Sequence, residues 1–110
     1  MNRPPLNFAV LGAGSWGTAL AMLLADNGYK VKLWAHHADH AEAMQQQRSN
    51  ERYLPGINFP QNLEVSADLQ QAVEQADTIL IVVPSHAFRS TLTAIKSLLT
   101  DKHRIVWGTK

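Results

Sequence analysis

The 110-residue sequence contains no cysteine. That excludes disulfides and thiolate metal centres, and it fits a reducing compartment. Charge is sparse and balanced, with 10 Lys and Arg against 9 Asp and Glu. No basic block recommends a nucleic acid or an anionic membrane surface as partner. No apolar run approaches the ~18–20 residues of a membrane span, so no membrane insertion is expected. The start, "MNRPPLNFAVLGAG", has one Arg and a short apolar run broken by glycines. It is not a secretory signal, and a cytoplasmic protein is expected. Internal repeats and low-complexity tracts are missing too. What remains is an ordinary globular composition, 45% hydrophobic, in a chain long enough for one core and too short for two.

Strand and helix patterns alternate along this chain. "NFAVLG" (7–12) reads as a buried strand, and "SWGTALAMLLADNG" as a helix stopped by Asn27-Gly28. "YKVKLWA" (29–35) alternates apolar and lysine positions as a second strand. "ADHAEAMQQQRSN" is a polar helix starting near Ala38 or Asp39. "ERYLPGINFPQN", with two prolines and a glycine, reads as loop. A brief strand at 63–65 precedes a short helix capped by Ser66 or Asp68. "DTILIVVP" (77–84) reads as a central parallel strand buried on both faces. "SHAFRSTLTAIKSLLT" places Phe88, Leu92, Ile95 and Leu99 on one helical stripe, and "HRIVWGT" is the last strand. Five alternations predict an α/β fold: a Rossmann-like parallel sheet with helices on both faces.

The most informative stretch is "VLGAGSWGTALA". Its G-x-G-x-x-G follows a strand and opens a helix, the context a dinucleotide-binding turn requires. Gly12 permits the tight turn. Gly14, lacking Cβ, lets a pyrophosphate approach the backbone, and Gly17 lets the helix pack close to the strand. The helix N-terminus near Ser15 offers free N–H groups to phosphate. Ser15 can cap the helix, donate to a phosphate, or both; Trp16 either packs or borders the ligand. An NAD-selective site carries an acid about 20 residues beyond the glycines. Here that position holds Ala35 or His36, and Asp39 comes too late. With no carboxylate to repel a 2′-phosphate, His36 or His37 can bind one, so the expected cofactor is NADP or NAD. The alternative is two exposed loop histidines. His36, His37 and His40 lack a fourth ligand, so no metal is expected.

The series "GAGSWGTALA", "LW", "RYLPG", "VVPSHAF" and "VWGTK", in this order over residues 7–110, resembles NAD(P)-dependent glycerol-3-phosphate dehydrogenase of the bacterial type. The resemblance implies interconversion of sn-glycerol 3-phosphate and dihydroxyacetone phosphate by hydride transfer, feeding phospholipid synthesis. It implies that Ser15 and Trp16 touch the cofactor, that His36 lies at the adenosine ribose, and that Tyr53 lines the cleft. It places Phe88 near the nicotinamide and has Lys110 reach both cofactor and substrate. Tyr53 can equally anchor its loop, Phe88 can belong to the core stripe, and Lys110 can be frayed. Members of that family continue into a helical substrate domain that carries the main catalytic lysine. Residues 1–110 are therefore expected to be the cofactor domain of a longer protein, with no catalytic residue of its own; His86 and His103 are weak candidates. Without that domain, apolar surface around "RIVWG" should favour a homo-oligomer. The competing readings are a non-catalytic nucleotide sensor, a ketopantoate or 6-phosphogluconate reductase relative, and an S-adenosylmethionine methyltransferase.

Overall fold

The computed structural model describes residues 7–101 and 103–107. Four helices and seven strands follow one another as β1 (Asn7–Leu11), α1 (Ser15–Asp26), β2 (Lys30–Trp34), α2 (Ala38–Gln47), β3 (Ser49–Asn50), β4 (Leu54–Asn58), β5 (Leu63–Ser66), α3 (Leu69–Glu74), β6 (Thr78–Ile81), α4 (Ser85–Lys96) and β7 (Arg104–Trp107). Five strands form one sheet in the order β5-β2-β1-β6-β7, with every pair parallel. The chain winds outward from β1 in one direction, returns, and winds outward in the other. That reversal beside β1 is the topological switch point, where open α/β sheets bind ligands at the carboxyl ends of their strands.

Alternation along β1 feeds two cores. Val10 joins Val31, Leu33, Met44 and Leu63 with Ala21 and Ala25 of α1. Ala9 and Leu11 face the other way, among Ile79, Ile81, Ile95, Ala72 and Val73. The α/β layering with helices on both faces is therefore as the sequence implies. Phe88, Leu92, Ile95 and Leu99 all pack in the second core, although Leu99 lies beyond the end of α4.

Three expectations need correction. The "RYLPG" segment is not simple loop: β4 pairs antiparallel with β3, Ser49 opposite Asn58 and Asn50 opposite Leu54, with a register shift between. Pro55 and Gly56 fall inside that irregular stretch, where a ladder needs no N–H from Pro55 and Gly56 takes φ +80°. β6 is buried on one face only. Ile79 and Ile81 are fully buried, while Leu80 and Val82 are partly covered because α1 lies over β1 and β2. Of the two caps proposed for α3, Asp68 holds the position, its carboxylate accepting the Gln71 N–H (3.1 Å), and Ser66 ends β5.

Polar side chains tie the connections down. Arg48, in the left-handed region (φ 55°), donates to the carbonyls of Pro60 (2.8 Å) and Leu63 (2.7 Å) and so fixes the hairpin against β5. Asn62 donates to the carbonyls of Ala25 and Tyr29 at the end of α1. His103 is spent structurally. The Thr100 N–H donates to its Nδ1 (2.9 Å), which leaves Nε2–H to donate to the Val73 carbonyl (2.9 Å).

Candidate functional site

The last paired row of the sheet runs Ser66, Trp34, Leu11, Ile81 and Trp107. Just past it, three connections lie side by side: Gly12–Gly14, Ala35–His37 and Val82–Pro84. Backbone bonds hold them in step. The Gly12 N–H donates to the Trp34 carbonyl (3.1 Å), and the Val82 N–H to the Leu11 carbonyl (2.9 Å).

The three glycines do different work. Gly12 has φ +126°, and a Cβ there would strike the Val82 carbonyl oxygen. A Cβ on Gly17 would fall on the Gly12 carbonyl oxygen, so α1 lies directly on the turn. At Gly14 a Cβ would meet no atom within 4 Å. The first and third glycines are therefore demanded by the fold. The second is not, and its bareness leaves room for something outside the chain.

That room is a cleft of about 650 Å³ bounded by Gly12, Gly14, Trp34, Tyr53, Val83 and Ser90, among others. The size falls within the 300–1,000 Å³ of small-molecule sites. Among the described residues its charged and imidazole lining is Arg52 with His36, His37, His40 and His86, and no carboxylate lines it. The His36 ring stands edge-on to Trp34 (5.7 Å) and to His37 (4.9 Å), and His40 is tilted against Tyr53 (5.8 Å). A second hollow, of about 590 Å³, lies at the opposite end of the sheet near Asn7 and Lys30. There Lys32 is engaged by Glu64 (3.6 Å) and Gln75 (2.8 Å). Among the described residues, no three of His, Asp and Glu gather as a metal site.

The structure brings Gly12, Gly14, His36, His37 and Tyr53 together around the cleft. Ser15 does not cap α1. Gly14 holds the N-cap position, and Ser15 donates its hydroxyl to the Tyr53 carbonyl (3.2 Å), joining the turn to the hairpin. Trp16 is 44% exposed beside the helix entrance and does not line the cleft. Nor does Phe88, which packs against Trp107 (5.9 Å). Gly17 lies beneath the turn, and Lys110 lies outside the described residues. Sequence reasoning missed Arg52, although "RYLPG" pointed beside it, and gave His40 no place in the cleft. It also missed Asn50. This side chain is wholly buried and bonds the Ala13 carbonyl (3.0 Å), the Thr18 hydroxyl (2.8 Å) and His40 Nε2 (3.1 Å). A polar residue between a helix and a proline-rich segment gives no signal of burial.

A switch-point cleft floored by a G-x-G-x-x-G turn is shared by many nucleotide-binding proteins. Residues 7–110 match the model of the NAD-dependent glycerol-3-phosphate dehydrogenase N-terminus. The chain belongs to this family. A relative from Coxiella burnetii named glycerol-3-phosphate dehydrogenase [NAD(P)+] is 52% identical over 102 residues, which cover 93% of this chain and 31% of the relative. The crystal structure of glycerol-3-phosphate dehydrogenase from Coxiella burnetii superposes with a TM-score of 0.93 at 50% identity, over 96% of this chain and 33% of that one. Its Saccharomyces cerevisiae counterpart reaches 0.86 at 26% identity, over 97% and 34%. The chain thus spans about a third of the length of the relatives it matches. The parallel sheet and glycine turn are this family's N-terminal architecture.

Proposed function

We propose that residues 1–110 are the cofactor-binding domain of an NAD(P)-dependent glycerol-3-phosphate dehydrogenase. The whole enzyme would move a hydride between the nicotinamide and the C2 position of sn-glycerol 3-phosphate or dihydroxyacetone phosphate, the small-molecule substrates of a phospholipid-precursor route. The observation that carries this reading is the cleft over Gly14, whose described lining holds Arg52 and four histidines and no carboxylate. Such a lining suits the phosphates of a dinucleotide.

The cofactor site comprises Gly12 and Gly14 under the pyrophosphate, supported by Gly17 and Ser15, with His36 and His37 at the ribose end of β2. Tyr53 and Arg52 close the hairpin side. Trp16, Phe88 and Lys110 are contacts that the family resemblance suggests. The nicotinamide, when bound, supplies the hydride; this chain binds and orients it. The catalytic groups and the helical substrate domain belong to the remaining length of the relatives, so these residues alone bind cofactor and do not turn over substrate. The cofactor is NADP or NAD, with NADP favoured because no acid stands at the end of β2. His36→Asp places a carboxylate where the ribose 2′-hydroxyl is read. Expected in calorimetry is a drop in NADPH affinity of about tenfold or more with NADH affinity kept; an unchanged NADPH/NADH ratio would remove His36 from the ribose end.

Self-association is part of this proposal. β7 is one edge of the sheet, with Val106 53% and Trp107 62% exposed. An edge of this kind invites pairing with a second copy. Sedimentation of the 110-residue chain should show a concentration-dependent mass that Trp107→Lys lowers. A monomer at every concentration contradicts it.

A further inference from the structure

The buried Asn50 does more than fill space. Its Nδ2 is committed to two acceptors, the Ala13 carbonyl and the Thr18 hydroxyl, so its Oδ1 faces His40 Nε2. The Ala13 carbonyl belongs to the peptide that enters Gly14. Cis peptide bonds are absent among the described residues, and in a trans peptide the C=O and N–H point in opposite directions. Pulling the Ala13 carbonyl inward therefore turns the Gly14 N–H outward. Among the described residues no acceptor takes that N–H, and Gly14 lines the cleft with open space before it. A peptide bond left unheld in a glycine-rich turn can flip, because glycine tolerates both orientations.

We infer that Asn50 is a positioning residue that holds the Ala13–Gly14 peptide so that the Gly14 N–H faces the phosphate of a bound dinucleotide. The same side chain ties the turn to the hairpin carrying Arg52 and Tyr53, since its Oδ1 also accepts from the Tyr53 N–H (3.4 Å). This rests on the dinucleotide reading of the cleft and adds a residue that never touches the ligand.

The test compares Asn50→Ala with Thr18→Val by NADH titration and thermal melting. Both remove a buried hydrogen bond and lower the melting temperature. Only Asn50→Ala frees the Ala13 carbonyl, so it should weaken NADH by about tenfold or more, with Thr18→Val within about twofold of the parent. Equal losses in the two variants, or none in Asn50→Ala, overturn the inference. The backbone 15N–1H signal of Gly14 gives a second readout that needs no ligand. It should move in Asn50→Ala and stay in Thr18→Val; a Gly14 signal unmoved by Asn50→Ala overturns the inference. Failure of the parent chain to bind NADH would count against the dinucleotide reading, while the Gly14 signal would still report on Asn50. Should Asn50→Ala not fold, the parent decides: Gly14 must be among the amides that shift most on NADH addition, and an unmoved Gly14 overturns the inference.

Discussion

Gly12→Ala is expected to lose most of the stability of the chain. Two penalties coincide at this position. The backbone sits at φ +126°, where an L side chain is strained, and the added methyl meets the Val82 carbonyl oxygen, which belongs to the backbone and cannot swing away. Strain of about 1–3 kcal/mol and overpacking of about 1–3 kcal/mol together give roughly 2–6 kcal/mol. For a chain of this size that lowers the melting temperature by roughly 10–45 °C. Gly17→Ala meets only the second penalty, against the Gly12 carbonyl, so it should fall between Gly12→Ala and the parent. Thermal melting followed by circular dichroism checks the order. A Gly12→Ala chain melting within a few degrees of the parent would mean that the turn is looser than the structure shows.

Gly14→Val should do the reverse. Gly14 has ordinary extended backbone angles (φ −76°, ψ −171°) that a β-branched residue adopts, and its Cβ would point into open space. The stability cost is therefore about 1 kcal/mol or less, mainly the poorer helix cap. The new side chain would fill the space through which a pyrophosphate reaches the Gly14 N–H, and NADPH affinity is expected to fall by about a hundredfold or more. Stability and binding thus separate between two glycines two residues apart. Melting and calorimetry on the same preparations read both. If Gly14→Val destabilises as much as Gly12→Ala, Gly14 is structural and the cleft loses its phosphate seat.

The parts of this fold that were legible in the sequence are those governed by short-range periodicity. β1, α1, β2, α2 and α4 follow from apolar spacing with their breakers, and the parallel sheet follows from the alternation of elements. The roles of Gly12 and Gly17 were legible because each serves the backbone of its own turn. The hairpin β3–β4 was not. Its pairing joins residues with no alternating pattern, and Pro55 and Gly56 argue against a strand unless the bulge is known. Asn50 was hidden for a related reason: its burial depends on the hairpin folding back over Ala13 and Thr18, contacts more than thirty residues apart in sequence. The cleft walls were half legible. His36 and His37 follow β2 directly, whereas Arg52 and His40 reach the cleft only through α2 and the hairpin. Phe88 lies on the amphipathic stripe of α4 and packs against Trp107, in keeping with the core-stripe alternative that the sequence offered beside a cofactor contact.

Backbone amide shifts during an NADPH titration show whether the carboxyl end of this sheet holds a nicotinamide dinucleotide. Saturable shifts are expected at residues 12–17, 34–40, 50–53 and 82–91, the segments gathered around the cleft. Shifts at Asn7, Lys30 and Glu64, at the other end of the sheet, or none at saturating NADPH, would contradict that site.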